Sequence, residues 1–236
     1  MRLLLISNST MAGQAYLEYP KKEIARFLGD SPVEALFIPY AAVTFSYEVY
    51  ENKVNERFHE LGHSVVSVHR FARPVDAVAQ AKTIVVGGGN TWQLLRVMRE
   101  QGILPVMAKK VREGTPYIGW SAGSNVACPT IQTTNDMPVC DPGGMDALCL
   151  IPFQINPHYL DTHPDGHAGE TREQRIEEYI ELNPQRYVVG LREASMLLYE
   201  RNHLNLIGDK TLRIFKKGTS PVEMKAGADL SFLMNG

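Results

Sequence analysis

Four short segments in the first half of the chain, Arg2–Ile6, Val33–Pro39, Ser64–His69 and Thr83–Val86, are rich in Val, Ile and Leu and too short for typical helices. A strand with one face in water alternates apolar and polar residues. Runs such as LLLI and TIVV do not alternate, so both of their faces must be buried. Amphipathic stretches of helical length lie between and after them, at Lys21–Leu28, Tyr47–Leu61, Thr91–Gln101 and Leu104–Arg112, and Tyr117–Trp120 reads as one more strand. Alternation of this kind predicts an α/β chain: a mainly parallel twisted sheet flanked by helices and wound with right-handed crossovers.

The texture changes after Cys128. Cys128–His167 is rich in Pro, Asp and Gly and reads as long loops, with one strand near Leu148–Phe153. A loop region that long inside a compact domain generally carries function. A helix is predicted at Arg172–Leu182, then strands at Tyr187–Leu191, Met196–Tyr199, Asn205–Ile207 and Leu212–Phe215. With no repeat or linker, residues 1–236 read as a single domain.

A formal net charge of −2 argues against a general attraction to nucleic acid or to an anionic membrane. The apolar run in MRLLLISNST ends at Ser7, short of a secretory signal, and no stretch reaches membrane-spanning length. The three cysteines, Cys128, Cys140 and Cys149, have no CxxC spacing. A reducing cytoplasm is the expected location.

Gly119-Trp120-Ser121-Ala122-Gly123 has the G-x-S-x-G pattern, placed where an apolar strand gives way to residues able to start a helix. A serine at that turn is presented on strained backbone as a nucleophile, and the flanking glycines permit close packing. The plain alternative is a Gly-Ser turn without chemistry. A second turn, Gly87-Gly88-Gly89-Asn90, follows the strand ending at Val86. In a parallel sheet both turns lie on the carboxyl edge, where such folds place their sites. The N–H groups of Gly88, Gly89 and Ala122 are therefore candidates for an oxyanion hole, and Asn90 for a substrate contact. Phosphate binding is the competing use of such a turn, but neither glycine-rich phosphate motif is matched.

Among seven histidines, His158 in QINPHY follows a predicted strand and is the candidate general base. Two carboxylates compete to orient it. Asp136 would give the chain order Ser–Asp–His, and Glu193 the order Ser–His–Glu. Glu193, at the end of a predicted strand, is preferred because an orienting group should be rigidly held. A metal-dependent hydrolase built on His158, His163, His167 and Asp161 or Asp165 is a rival reading, although that cluster has no standard ligand spacing. A non-catalytic binding protein on the same fold is another.

Taken together, LLLISNST, VGGGNTWQLL, YIGWSAGSN, INPHY and GHAGETREQRI resemble serine peptidase family S51, the aspartyl dipeptidases of the peptidase E type, across nearly the whole chain. The resemblance implies a fold like that of class I glutamine amidotransferases. It also implies hydrolysis of dipeptides with a free N-terminal aspartate through a serine acyl-enzyme, with Ser121 as nucleophile and His158 as base. It leaves both Asp136 and Glu193 as third members and requires no cofactor. Cyanophycinase-like enzymes, which act on aspartyl backbones, share the fold. An acidic substrate side chain needs a cation. Thr171 and Gln174 predict a capping box that opens a helix, with Arg172 in its first turn. Arg172, with Arg175 or His167, is the candidate aspartate pocket. Surface ion pairs to Glu170, Glu173 or Glu177 are the alternative use of those arginines.

Overall fold

Apolar runs buried on both sides must deal their side chains alternately to two cores, and this chain does so with period two. Leu3 and Leu5 enter one core while Leu4 and Ile6 enter the other; Ile84 and Val86 are likewise separated from Val85. The computed structural model of the chain describes residues 1–162 and 169–235. Its elements in order are β1 (Leu3–Ile6), α1 (Lys21–Leu28), β2 (Glu34–Ile38), α2 (Tyr47–Glu60), β3 (Ser64–Ser67), α3 (Pro74–Gln80), β4 (Ile84–Val86), α4 (Thr91–Glu100), α5 (Ile103–Arg112) and β5 (Tyr117–Trp120). After these come α6 (Ala122–Asn125), β6 (Gln154–Tyr159), α7 (Arg172–Leu182), β7 (Val188–Arg192), β8 (Met196–Glu200), β9 (His203–Ile207), β10 (Leu212–Phe215) and β11 (Val222–Met224).

The main sheet has the order β3-β2-β4-β5-β1-β8-β9. Its first five strands are parallel, and β8 and β9 close it antiparallel. Helices α1 and α2 supply one core through Ile24, Phe27, Val54 and Phe58, and α4 and α5 supply the other through Leu94, Met98, Met107 and Val111. This is the predicted α/β architecture. A second sheet, β11-β10-β7-β6, contributes Ile155, Val189, Leu191 and Ile214 to the same core as α4 and α5, and α7 covers its far face through Ile176 and Ile180. No described helix is long and apolar enough to cross a membrane.

The main departure from the sequence reading is the strand expected near Leu148–Phe153. Those residues are irregular, although Leu148, Leu150, Ile151 and Phe153 are buried. Leu148 and Leu150 donate their N–H groups to Val126 and Ala127 at the end of α6, so they fill the core without joining a ladder. The strand comes one step later, at β6, and contains Pro157, which is tolerated because β6 is an edge strand. Its open side is capped by side chains: Asn125 and Thr133 donate to the Ile155 carbonyl, and Asn135 donates to that of Pro157. Three smaller differences concern β3, which stops at Ser67, and α3 and β11, which the apolar pattern did not reveal.

The order β4-β5-β1 sets three carboxyl-terminal turns side by side. They carry Gly87–Gly89, Ser121 and Ser7–Asn8. The β7–β8 turn, Glu193–Ser195, meets the same edge, where Ser7 N–H donates to Ser195 O at 3.0 Å.

Candidate active site

Ser121 has φ 53° and ψ −113°, a left-handed turn between β5 and α6 that a serine adopts only under constraint. The constraint comes from packing that admits no side chain on either flank. A Cβ on Gly119 would stand 2.4 Å from the Gly123 carbonyl oxygen, and one on Gly123 would stand 2.2 Å from that of Val86. Ser124 Oγ donates to the carbonyls of Ile6 and Gly119 at 2.7 and 2.8 Å, which ties the turn to β1 and β5.

His158 lies inside β6, not after a strand as the sequence suggested. It sits at a register shift between Pro157 and Tyr159 with φ 54°, and such a bulge re-aims a side chain. Its Nε2 is 2.9 Å from Ser121 Oγ and its Nδ1 is 2.7 Å from Glu193 Oε1. Glu193 is the first residue after β7, the parallel neighbour of β6, so one strand pair positions both side chains. Both are partly exposed, at 36% and 41%.

Asp136 is elsewhere. Its Oδ2 accepts from Thr91 N–H at 2.8 Å, Thr91 Oγ1 at 2.5 Å and Thr134 Oγ1 at 3.1 Å, at the N-terminus of α4 where a carboxylate is electrostatically favoured. It does not bond to His158, which corrects its standing as an alternative to Glu193. Asn90 already has partners: its Oδ1 caps α4 by accepting from Gln93 N–H, and its Nδ2 donates to Met137 O.

The Gly-rich turn lies against the serine. A Cβ on Gly88 would be 3.0 Å from Ser121 Cβ, and one on Gly89, where φ is 132°, would be 2.3 Å from the Ala41 carbonyl oxygen. Gly88 O accepts a hydrogen bond at 2.9 Å from Tyr50 OH, which itself accepts from Trp120 Nε1 and Tyr16 OH at 3.1 Å each. Burial pushes the Tyr50 phenol up to about 12, so it remains a neutral donor. Tyr50 was not singled out in the sequence; an aromatic residue in an amphipathic helix looks like ordinary core. Ala122 N–H opens α6 and has no intrahelical acceptor.

The capping box at α7 is present, with Gln174 N–H donating to Thr171 Oγ1 and Thr171 N–H to Gln174 Oε1. Arg175 pairs with Glu170 at 3.3 Å on the surface. Arg172 is half-buried and has no hydrogen bond or ion pair among the described residues. Burial lowers its pKa, the neighbouring Arg175 lowers it further, and Asp136 and Glu193 act in the opposite sense. Arg172, Asp136, Thr133, Asn156 and Tyr179 line a cavity of about 260 Å³.

His163, His167 and Asp165 lie outside the described residues. The described residues of the rival metal cluster have other partners. Both ring nitrogens of His158 are hydrogen-bonded, and Asp161 accepts from Arg192 Nε at 2.8 Å.

The sequence profile of peptidase family S51 matches residues 3–207. Peptidase E of Nostoc sp. is 48% identical over 233 residues, which cover 99% of this chain and 96% of that protein. Peptidase E of Salmonella typhimurium is 48% identical over 227 residues, covering 96% and 99%. Among solved structures, a peptidase from an acI-B1 actinobacterium superposes with a TM-score of 0.68 at 20% identity, covering 98% of this chain and 96% of that one, a likeness of fold. The chain belongs to peptidase family S51 and is a serine-type peptidase.

Proposed function

We propose that this peptidase is a dipeptidase that releases a free N-terminal aspartate, with Ser121 as nucleophile, His158 as general base and Glu193 as the group that orients it. The observation carrying this reading is the unbroken series Ser121 Oγ, His158 Nε2, His158 Nδ1 and Glu193 Oε1, with contacts of 2.9 and 2.7 Å. Ser121 Oγ attacks the aspartyl carbonyl carbon while its proton passes to His158 Nε2. The oxyanion is met by the N–H groups of Ala122 and of Gly88 or Gly89. The imidazolium returns the proton to the leaving amine as the C–N bond breaks. Water, deprotonated by the same nitrogen, then cleaves the acyl-enzyme and restores Ser121. Glu193 holds the Nδ1–H tautomer and stabilises the imidazolium.

Arg172 is assigned to the substrate's side-chain carboxylate. It is a half-buried cation with no described partner, and a carboxylate would satisfy its guanidinium bidentately. Arg175 lines the same cavity but is exposed and paired with Glu170, so Arg172 carries the assignment. We read residues 1–236 as one domain acting in the cytoplasm on a small peptide, without a cofactor. Hydrolysis of Asp-Leu, Glu-Leu and Ala-Leu by the protein and by Ser121→Ala tests the assignment. Asp-Leu alone should be cleaved efficiently, and only with the serine present. Equal cleavage of Ala-Leu would refute the specificity, and an active Ser121→Ala would refute the mechanism.

A further inference from the structure

Three non-glycine residues near the nucleophile hold left-handed backbone: Ser121 with φ 53°, His158 with φ 54° and Ala194, next to Glu193, with φ 65°. Such conformations persist only where the surroundings over-determine them. Their three N–H groups are bound by three consecutive residues at the end of β1. Ser121 N–H donates to Ile6 O at 3.0 Å, His158 N–H to Ser7 Oγ at 2.9 Å, and Ala194 N–H to Asn8 Oδ1 at 3.0 Å. The first of these is a main-chain bond that any residue at position 6 would accept. The other two depend on side chains.

Both side chains are fixed in orientation. Ser7 is fully buried, and its hydroxyl proton is donated to Leu191 O at 2.8 Å, so a lone pair faces His158 N–H. Asn8 is 1% exposed; its Nδ2 donates to Thr10 O at 2.9 Å and its Oδ1 also accepts from Tyr19 OH at 2.7 Å. Turning the carboxamide over would face N–H against N–H at Ala194. β1 can reach all three segments because it lies between β5 and β8 in the main sheet, and its end meets β6 and β7 of the second.

We propose that Ser7 and Asn8 are positioning residues for catalysis: the Ser7 hydroxyl sets the backbone turn that aims His158, and the Asn8 carboxamide sets the turn that presents Glu193. The proposal rests on the reading of Ser121, His158 and Glu193 as the catalytic series. Neither residue touches the Arg172 pocket, so the consequence should fall on the chemical step and not on binding. A displacement near 1 Å in such a series costs roughly 100-fold in rate.

The test compares Ser7→Ala, Ser7→Thr, Ser7→Val and Asn8→Ala in the full-length protein. The readouts are kcat and KM on Asp-Leu, phosphonylation of Ser121 by diisopropyl fluorophosphate, the downfield proton resonance between His158 and Glu193, and the melting midpoint. Ser7→Ala and Asn8→Ala should each lose about 100-fold in kcat, with KM changed by less than about threefold. Phosphonylation should fall in parallel, and the downfield resonance should shift or broaden in protein that is still folded. Ser7→Thr keeps the hydroxyl and should recover most of the rate. Ser7→Val, of the same shape, should not. Should Ser7→Ala fail to fold, the threonine–valine pair and Asn8→Ala carry the comparison. Folded variants with wild-type kcat and phosphonylation, or a valine variant as fast as threonine, would overturn the proposal. An active Ser121→Ala would instead bring down the reading on which it rests.

Discussion

Glu193 Oε1 stands 2.7 Å from His158 Nδ1, whereas the Asp136 carboxylate is bound to Thr91 and Thr134 at the start of α4. The difference follows from strand pairing. β6 and β7 are adjacent and parallel, so their carboxyl ends and the residues just beyond them lie together. Asp136 is on a loop that packs against another helix.

The first prediction separates the two carboxylates. Glu193→Gln should lower kcat on Asp-Leu by about 10³-fold or more, because an amide neither stabilises the imidazolium nor selects its tautomer. Asp136→Asn should keep kcat within about tenfold and lower the melting midpoint by about 2–8 °C, the equivalent of about 1–2 kcal/mol of charge-assisted bonding. Steady-state kinetics and a thermal scan on the same two proteins check both halves.

Arg172→Ala should cost roughly 10–100-fold in kcat/KM on Asp-Leu, the worth of a charged hydrogen-bonded contact. Ala-Leu should be cleaved no more slowly than before. Arg175→Ala, which removes an exposed ion pair, should change neither number appreciably. An Arg172→Ala enzyme that kept its preference for aspartate would move the carboxylate pocket elsewhere.

Tyr50→Phe removes the hydroxyl that holds Gly88 O and that receives Trp120 Nε1. The loss of a buried hydroxyl with these partners should destabilise the fold by about 1–3 kcal/mol. It should also lower kcat more than it raises KM, because Gly88 packs on Ser121 and is proposed to donate to the oxyanion. Chemical denaturation and the kcat-against-KM comparison measure the two effects separately.

The fourth prediction concerns acid. Arg192 binds Asp161 and Glu223, and its hydrogen bonds hold both carboxyls below their ordinary values of 3.8 and 4.5. Groups whose folded pKa is depressed contribute stability above the unfolded value and lose it as pH falls through the folded one. The melting midpoint of the parent should therefore exceed that of Arg192→Met at neutral pH. The gap should close as pH drops below about 4. A gap that widened in acid would contradict the ion network, and thermal scans from pH 7 to pH 2 decide it.

Much of the fold is local in origin. Apolar runs at β1, β4 and β5 declare buried parallel strands because an unbroken apolar run, with no polar face, is written in adjacent residues. The Gly-x-Ser-x-Gly turn is legible because its five residues are contiguous, although the crowding that excludes a side chain at Gly123 comes from Val86 on β4. The α7 start is also local, because a capping box spans only four residues. The apolar stretch Leu148–Phe153 misled for a matching reason: hydrophobicity marks burial, and only hydrogen-bond partners distinguish a strand from a packed loop.

By itself, then, the sequence determined the α/β class, the turn that carries the candidate nucleophile, the candidate base and the cationic helix start, all of them features encoded within a few neighbouring residues. Only the tertiary structure decided that His158 turns on a bulge inside β6, that Glu193 and not Asp136 meets it, and that Ile6, Ser7 and Asn8 hold the three turns together. These relations join residues far apart in the chain, and they exist only because β1 lies where the two sheets meet.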